Sequence, residues 1–496
     1  MAVVVAVDAG TTGVRAVAID QEGRLAGWSY RELTQHFPRP GWVEHDPEEI
    51  SGAVGATLAE LHEDLAAAGT TIAAVGVTNQ RETALTWDRR TGGPRSPAIV
   101  WQDRRTAARC EELVAEGHLP LVREATGLVL DPYFTATKLG WLLGDGGIDA
   151  GPDLAVGTVD TWVVRHLTGG AAHVTDPSNA SRTLLFDLRT GAWSPELCGL
   201  FGVPMGALAE VRPSSGRYGV TAAGCGLPAG IPVSGIAGDQ QAALFGQACL
   251  VPGMAKHTYG TGGFTLLNVG ERRPAVVDGL LTTVAWQLAE GGPTTYAYEG
   301  AVFVMGAAVQ WLRDGLGIIT SADEVEALAR SVPDAGGVMF VPALTGLGSP
   351  WWDPWARGTV CGLTRGVTRA HLARAALQAM AFSTRDVIEA MARSAGRSVV
   401  ELRVDGGAAA NELLLQLQAD QLQVPVVRPV VTETTALGAA FLAGLAEGVW
   451  GSTDDVAAAW REARTFRPEI TSDAASNPHR TWLRAVERSR SWSLPT

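Results

Sequence analysis

Apolar residues crowd the N-terminus as Val3-Val4-Val5-Ala6-Val7, stop at Asp8-Ala9-Gly10-Thr11-Thr12-Gly13, and resume as Val14-Arg15-Ala16-Val17-Ala18-Ile19. Two apolar runs about a glycine turn predict a β-hairpin whose tip carries two glycines, two hydroxyls and a carboxylate. The pattern returns in Met254–Val269, where Gly260-Thr261-Gly262-Gly263 takes the place of Gly10-Thr11. Repetition of a Gly/Thr-tipped hairpin predicts an internal duplication. Such tips let backbone N–H groups and hydroxyls approach a phosphate, and two of them across a cleft would clamp a polyphosphate. An ordinary polar turn is the competing reading of either tip alone.

Between the hairpins, Ile72–Thr78 reads as a strand leading to Asn79-Gln80-Arg81-Glu82. Neighbouring strand residues face opposite ways, so Arg81 and Glu82 can share a pocket only if the strand has ended. Ile231–Ile236 predicts a buried strand, Ala237-Gly238 a turn and Asp239–Phe245 a helix. This sets the Asp239 carboxylate at a strand-to-helix junction, where parallel sheets bind ligands; a simple helix N-cap is the alternative. Ala98–Arg105 reads as a short strand entering a helix, and Leu130–Lys138 as a loop before a helix around Trp141. Further on, Glu299–Arg313 reads as one apolar helix and Leu372–Ala392 as another. Val404–Asn411 reads as a strand, a di-glycine turn and a helix start that suits polar ligand groups. Thr434–Leu445 is a helix of small residues made for close packing, and the polar C-terminus a surface helix and tail.

Composition narrows the chemistry. At 496 residues and 46% hydrophobic the chain can bury large cores, and its length suits roughly three domains. No apolar run reaches the ~18 residues of a membrane span, and the N-terminus reads as a strand instead of a signal peptide. Five scattered cysteines without metal-ligand spacing fit a reduced, cytoplasmic setting. A net charge of −13 argues against nucleic acid as partner. Of 39 cationic residues only Lys138 and Lys256 are lysines, and neither follows a glycine, so no P-loop is present. Any nucleotide must be held by other means.

In this order, the pieces resemble the FGGY family of carbohydrate kinases over nearly the whole chain, on its glycerol-phosphorylating branch. The marks are Pro40–Pro47, Thr78–Thr83, Asp176–Thr183, Gly238–Ala243 and Gly358–Leu363 continued through His371–Gln378. Tyr133–Asp145 is similar to a further signature, with Gly144 where a polar residue is usual. The resemblance implies an α/β, actin/hexokinase-like (ribonuclease-H-like) fold, with two duplicated domains, 1–247 and 248–496, around a central cleft. It implies transfer of the terminal phosphoryl group of ATP to glycerol with Asp239 as general base. Arg81, Glu82, Tyr133, Asp239 and Gln240 would hold the hydroxyls, with Trp101 and Phe264 as apolar walls. Thr11, Thr12, Gly13, Arg15, Thr261, Gly262, Gly306, Gln310, Gly407 and Asn411 match nucleotide positions. Asp8, through water, and Asp239 match the carboxylates that serve Mg²⁺. A homodimer or homotetramer is compatible with the family.

These roles make chemical sense. Three hydroxyls on a thin carbon chain need donors, acceptors and flat apolar cover, and phosphoryl transfer needs alignment and charge neutralisation. Ala9 and Gly13-Val14 replace more polar residues common in the family's first hairpin, which removes one hydroxyl contact to the phosphates. Gly263 stands where Cys or Asn often follows the second tip, beside the expected substrate wall. The turn Ala222–Gly230 lacks the basic residue and the histidine on which two kinds of regulation depend in relatives. Two other readings remain: a kinase for dihydroxyacetone, a tetritol or a pentulose, and a non-enzymatic, actin-like ATP switch. The first would need Trp101 and Phe264 displaced; the second has no use for an Arg-Glu-Tyr-Asp set beside a phosphate.

Overall fold

A computed structural model describes residues 2–493. Two large sheets organise it, where length alone suited three domains. In the first, the strand Ala2–Ala9 pairs antiparallel with Gly13–Asp20, which pairs antiparallel with Leu25–Glu32. On its other side Ala2–Ala9 pairs parallel with Thr71–Asn79, and that strand parallel with Pro232–Gly238. The edge strand Ser215–Val220 completes the sheet.

The second sheet repeats this unit. Met254–Tyr259 pairs antiparallel with Gly263–Gly270, and that strand antiparallel with Thr294–Val302. Met254–Tyr259 also pairs parallel with Glu401–Asp405, which pairs parallel with Val426–Pro429. At one edge Glu462–Phe466 pairs antiparallel with Val426–Pro429, as Ser215–Val220 does with Pro232–Gly238, and at the other edge Leu281–Gln287 is an addition. The duplication read from the two hairpins is thus present strand by strand. Parallel pairing with both faces covered explains why Val3 to Val7 is uninterruptedly apolar and fully buried.

The halves meet through helices. Asp239–Gly246 follows the last parallel strand of the first unit, and Thr434–Ala446 that of the second. Thr434–Ala446 packs in one core with Val4, Ala6, Ala74, Ala237 and Leu266, residues of both sheets, and with Phe245 of the helix Asp239–Gly246. The two helices approach backbone to backbone. A Cβ on Gly438 would lie 1.8 Å from the Ala242 carbonyl oxygen, and one on Gly246 would lie 2.0 Å from that of Thr434. Small residues in Thr434–Ala446 are therefore a requirement of this crossing.

Three sequence expectations change. Glu299–Arg313 is not one helix: Thr294–Val302 is a strand held between two partners, and the helix begins at Gly306. The apolar run is compatible with either state, and sheet pairing decides it. Asp239 is the first helical residue, with Gly238 as the cap. The C-terminal helix Ser472–Ser489 is docked as well as exposed. Asp386 accepts from Trp482 Nε1 at 2.8 Å and lies 2.7 Å from His479 Nε2, while Phe382 stacks on Trp482. The end of the expected tail, 494–496, lies outside the described residues. Among the described residues no helix is long and apolar enough to cross a membrane.

Candidate active site

The strand Thr71–Asn79 ends before Arg81, and the chain turns sharply at Glu82, whose φ of 62° is left-handed. That turn answers the geometric condition set by the sequence: Arg81 and Glu82 now lie on the same side, with Arg81 Nε 3.8 Å from Glu82 Oε1. The Arg81 guanidinium is buried and forked onto Glu299, at 2.6 and 2.9 Å. Its Nε lies 3.1 Å from Asp239 Oδ1, and Nη2 3.5 Å from the Tyr133 hydroxyl. Arg182, equally buried, donates from Nε to Glu82 at 2.6 Å and from Nη2 to Glu299 at 3.2 Å.

Two buried arginines and two buried glutamates thus interlock beneath the half-buried Asp239 and Gln240. Burial alone would push the Glu299 carboxyl up, but Arg182 and Arg81 hold it down at about 2. Burial raises Glu82 against the same two cations. Charges this deep persist because each has an opposite partner and hydrogen bonds. Glu299, Arg182 and Gln241, whose Oε1 accepts from Arg81 at 3.2 Å, escaped the sequence reading. Glu299 was hidden in the misread helix; the Asp176–Thr183 motif was the available signal for Arg182.

Trp101 stands edge-on to Tyr133 with ring centroids 5.5 Å apart, and its Nε1 donates to Thr11 Oγ1 at 2.9 Å. One side chain therefore joins Tyr133 to the first hairpin tip. Gln80 strengthens that link, donating to the Gly10 carbonyl at 3.1 Å and accepting from Thr83 at 2.8 Å. The Pro40–Pro47 motif braces this layer from behind. Val43 N–H donates to Asp103 at 2.7 Å, Arg105 lies 3.7 Å from the Trp42 ring centroid, and His45 Nδ1 is 3.2 Å from Gln80 Nε2. Phe264 is half-buried opposite Thr258 and Ala301. Gly263 leaves no room for a side chain: a Cβ there would strike the His257 ring at 2.7 Å and Met305 at 2.9 Å.

On the other side, Thr261, Gly306, Gln310, Gly407 and Asn411 line one cavity of about 570 Å³. Gly262 sits at the tip beside it. The tip is clasped by the start of the helix Gly306–Asp314: Met305 and Ala307 N–H both donate to the Thr261 carbonyl, at 2.9 and 3.1 Å. Asn411 Oδ1 caps the helix Glu412–Leu422 by accepting from Leu414 N–H at 2.9 Å. The first tip is one residue longer than the second, since Ala9 pairs with Val14 but Tyr259 with Gly263. Thr12 is exposed there and Gly13 buried against Tyr30. Arg15 forms an ion pair with Glu433. Burial first, and then the negative charge of Asp239, push the Asp8 carboxyl up to about 7.

Comparison with known proteins agrees with this architecture. Residues 3–246 match the N-terminal domain of the FGGY family of carbohydrate kinases, and residues 255–447 its C-terminal domain. A glycerol kinase of Dechloromonas aromatica (strain RCB) is 56% identical, over 99% of this chain and 98% of that protein. One of Deinococcus radiodurans is 53% identical over the same shares. The crystal structure of Plasmodium falciparum glycerol kinase with ADP superposes with a TM-score of 0.93 at 32% identity, covering 99% of this chain and 98% of that one. With both of its halves matched, and relatives aligned from end to end, the chain belongs to the FGGY family of carbohydrate kinases.

Proposed function

We propose that this protein transfers the terminal phosphoryl group of ATP to glycerol, giving sn-glycerol 3-phosphate and ADP, with Asp239 as general base. The observation that carries the reading is Arg81. Its guanidinium is fixed by Glu299, yet it still reaches Asp239 and the Tyr133 hydroxyl at the rim of the cleft. Full-length similarity to glycerol kinases supports the choice of alcohol.

In this reading residues 1–247 supply the substrate pocket, the first tip and Asp239. Residues 248–496 supply the second tip and the adenosine cavity. Glycerol lies over Arg81, Glu82, Tyr133 and Gln240, its carbons against Trp101 and Phe264. Asp239 takes the proton of the attacking hydroxyl, the alcohol oxygen bonds to the γ-phosphorus, and the bond from that phosphorus to the bridging oxygen breaks, releasing ADP. Thr11, Thr12, Gly13, Arg15, Thr261 and Gly262 align the phosphates; Gly306, Gln310, Gly407 and Asn411 serve the rest of the nucleotide.

Asp8, the water-mediated partner in the family pattern, would hold Mg²⁺ together with Asp239. Among the described residues no three acidic, histidine or cysteine side chains converge on a metal position. Two carboxylates plus water and phosphate oxygens is a set that Mg²⁺ accepts. Bound there, the ion would neutralise charge on the phosphates.

An ADP-release assay across glycerol, dihydroxyacetone, a tetritol and a pentulose tests the substrate. Glycerol is expected to give the highest kcat/KM; faster turnover of a pentulose, or ADP release without any alcohol, would overturn the reading. Asp239→Asn is expected to lower kcat by about 10²–10⁴-fold, the span of a positioned acid–base group, with ATP affinity unchanged. Undiminished turnover would remove Asp239 as the base.

A further inference from the structure

Lys256 has no part in the roles assigned above, yet it reaches them. It lies on the strand Met254–Tyr259, which ends in the second hairpin tip, and is fully buried. Its ammonium donates across the boundary between the halves to Gln240 Oε1, and within its own strand to Thr258 Oγ1 at 3.0 Å. A buried ammonium held by two neutral acceptors costs more than an apolar side chain of similar length would. That cost points to a use.

A lysine ammonium can only donate. The side-chain oxygen of Gln240 is therefore the end turned toward Lys256, and its NH₂ is the end turned away. Gln240 is half-buried beside Asp239, whose Oδ1 accepts from the Gln240 backbone N–H at 2.7 Å. Among the described residues no acceptor takes the Gln240 Nε2 hydrogens. Without Lys256 either end of the amide could face the pocket.

We propose that Lys256 is a positioning residue that fixes the Gln240 amide so that it presents an N–H donor to a hydroxyl oxygen of the substrate. The inference rests on glycerol as the substrate. It also means that the strand bearing the second phosphate tip helps to set alcohol recognition in the other half of the molecule.

The test is a double-mutant cycle read in glycerol KM, ATP KM and kcat. Lys256→Met is expected to raise glycerol KM about tenfold, the effect of losing one well-placed hydrogen bond, with ATP KM unchanged. The increase should vanish in a Gln240→Leu background, because Lys256 acts on recognition only through the Gln240 donor. Additive effects, or equal shifts in the two KM values, would overturn the proposal. Should Lys256→Met fail to fold, Gln240→Glu decides. It keeps the acceptor for Lys256 and loses the donor, so a raised glycerol KM supports the assigned orientation and an unchanged one refutes it. Unmutated protein that does not phosphorylate glycerol at all would overturn the substrate reading and this inference together; failure confined to the variants overturns only the inference.

Discussion

Lys138 carries the other lysine ammonium, and it too is fully buried. It donates to the carbonyls of Pro132 and Tyr133, at 3.1 and 2.7 Å, which pins the backbone that carries the Tyr133 ring. Burial pushes its pKa from 10.5 down to about 7, against nearby Glu82, Asp103 and Asp131. Between those values the unfolded chain binds a proton that the native chain does not. Unfolding free energy must therefore rise with pH across the window, and the cost of the buried charge is fully present below pH 7. Wild type should gain thermal stability on Lys138→Met as pH is raised from 7 to 10. Melting curves that stay parallel would show that Lys138 does not titrate there. The residue scale also marks where sequence reading stops. Arg81, Glu82, Tyr133 and Asp239 stand in recognisable motifs and meet as expected. The bond from Arg81 to Glu299 spans 218 residues, and that from Arg182 to Glu82 spans 100, so neither leaves a local pattern to read.

At the scale of elements, the two hairpins were legible because a short apolar–Gly/Thr–apolar pattern is specific and occurs twice. The strand Thr294–Val302 was not: its second half, Glu299-Gly300-Ala301-Val302, suits either state until neighbours pair with it. The helix Thr434–Ala446 was half legible. Its Ala and Gly content announced a close contact but not the partner, which is the helix Asp239–Gly246 that opens with the proposed base. The crossing consequently sets where Asp239 stands. Gly438→Val would drive its Cβ into the Ala242 backbone, and backbone cannot yield as a flexible side chain can. A loss of about 3 kcal/mol or more is expected, toward the upper end for overpacked cores. Urea denaturation measures it, and an unshifted midpoint would mean that the helices do not touch as described.

For the whole molecule, the fold class could be read from duplication and motif order, while the contacts that span the cleft could not. One of them bears directly on nucleotide binding. Arg15, expected to serve the phosphates, is paired with Glu433, 418 residues away and immediately before the helix Thr434–Ala446. Both side chains are partly exposed, at 33% and 41%, so water and salt reach the pair. If Arg15 is to hold a phosphate, Glu433 competes with it for one guanidinium, and its negative charge also repels the incoming anion. Glu433→Gln removes both penalties and keeps the side-chain shape. ATP affinity should rise by up to about fivefold, the range open to an exposed ion pair, and the gain should shrink as ionic strength increases. Titration with ATP at low and high salt separates the alternatives. A salt-independent loss of affinity would mean that Glu433 orients Arg15 for the nucleotide instead of competing for it, and the ion pair would then belong to the nucleotide-bound arrangement as well.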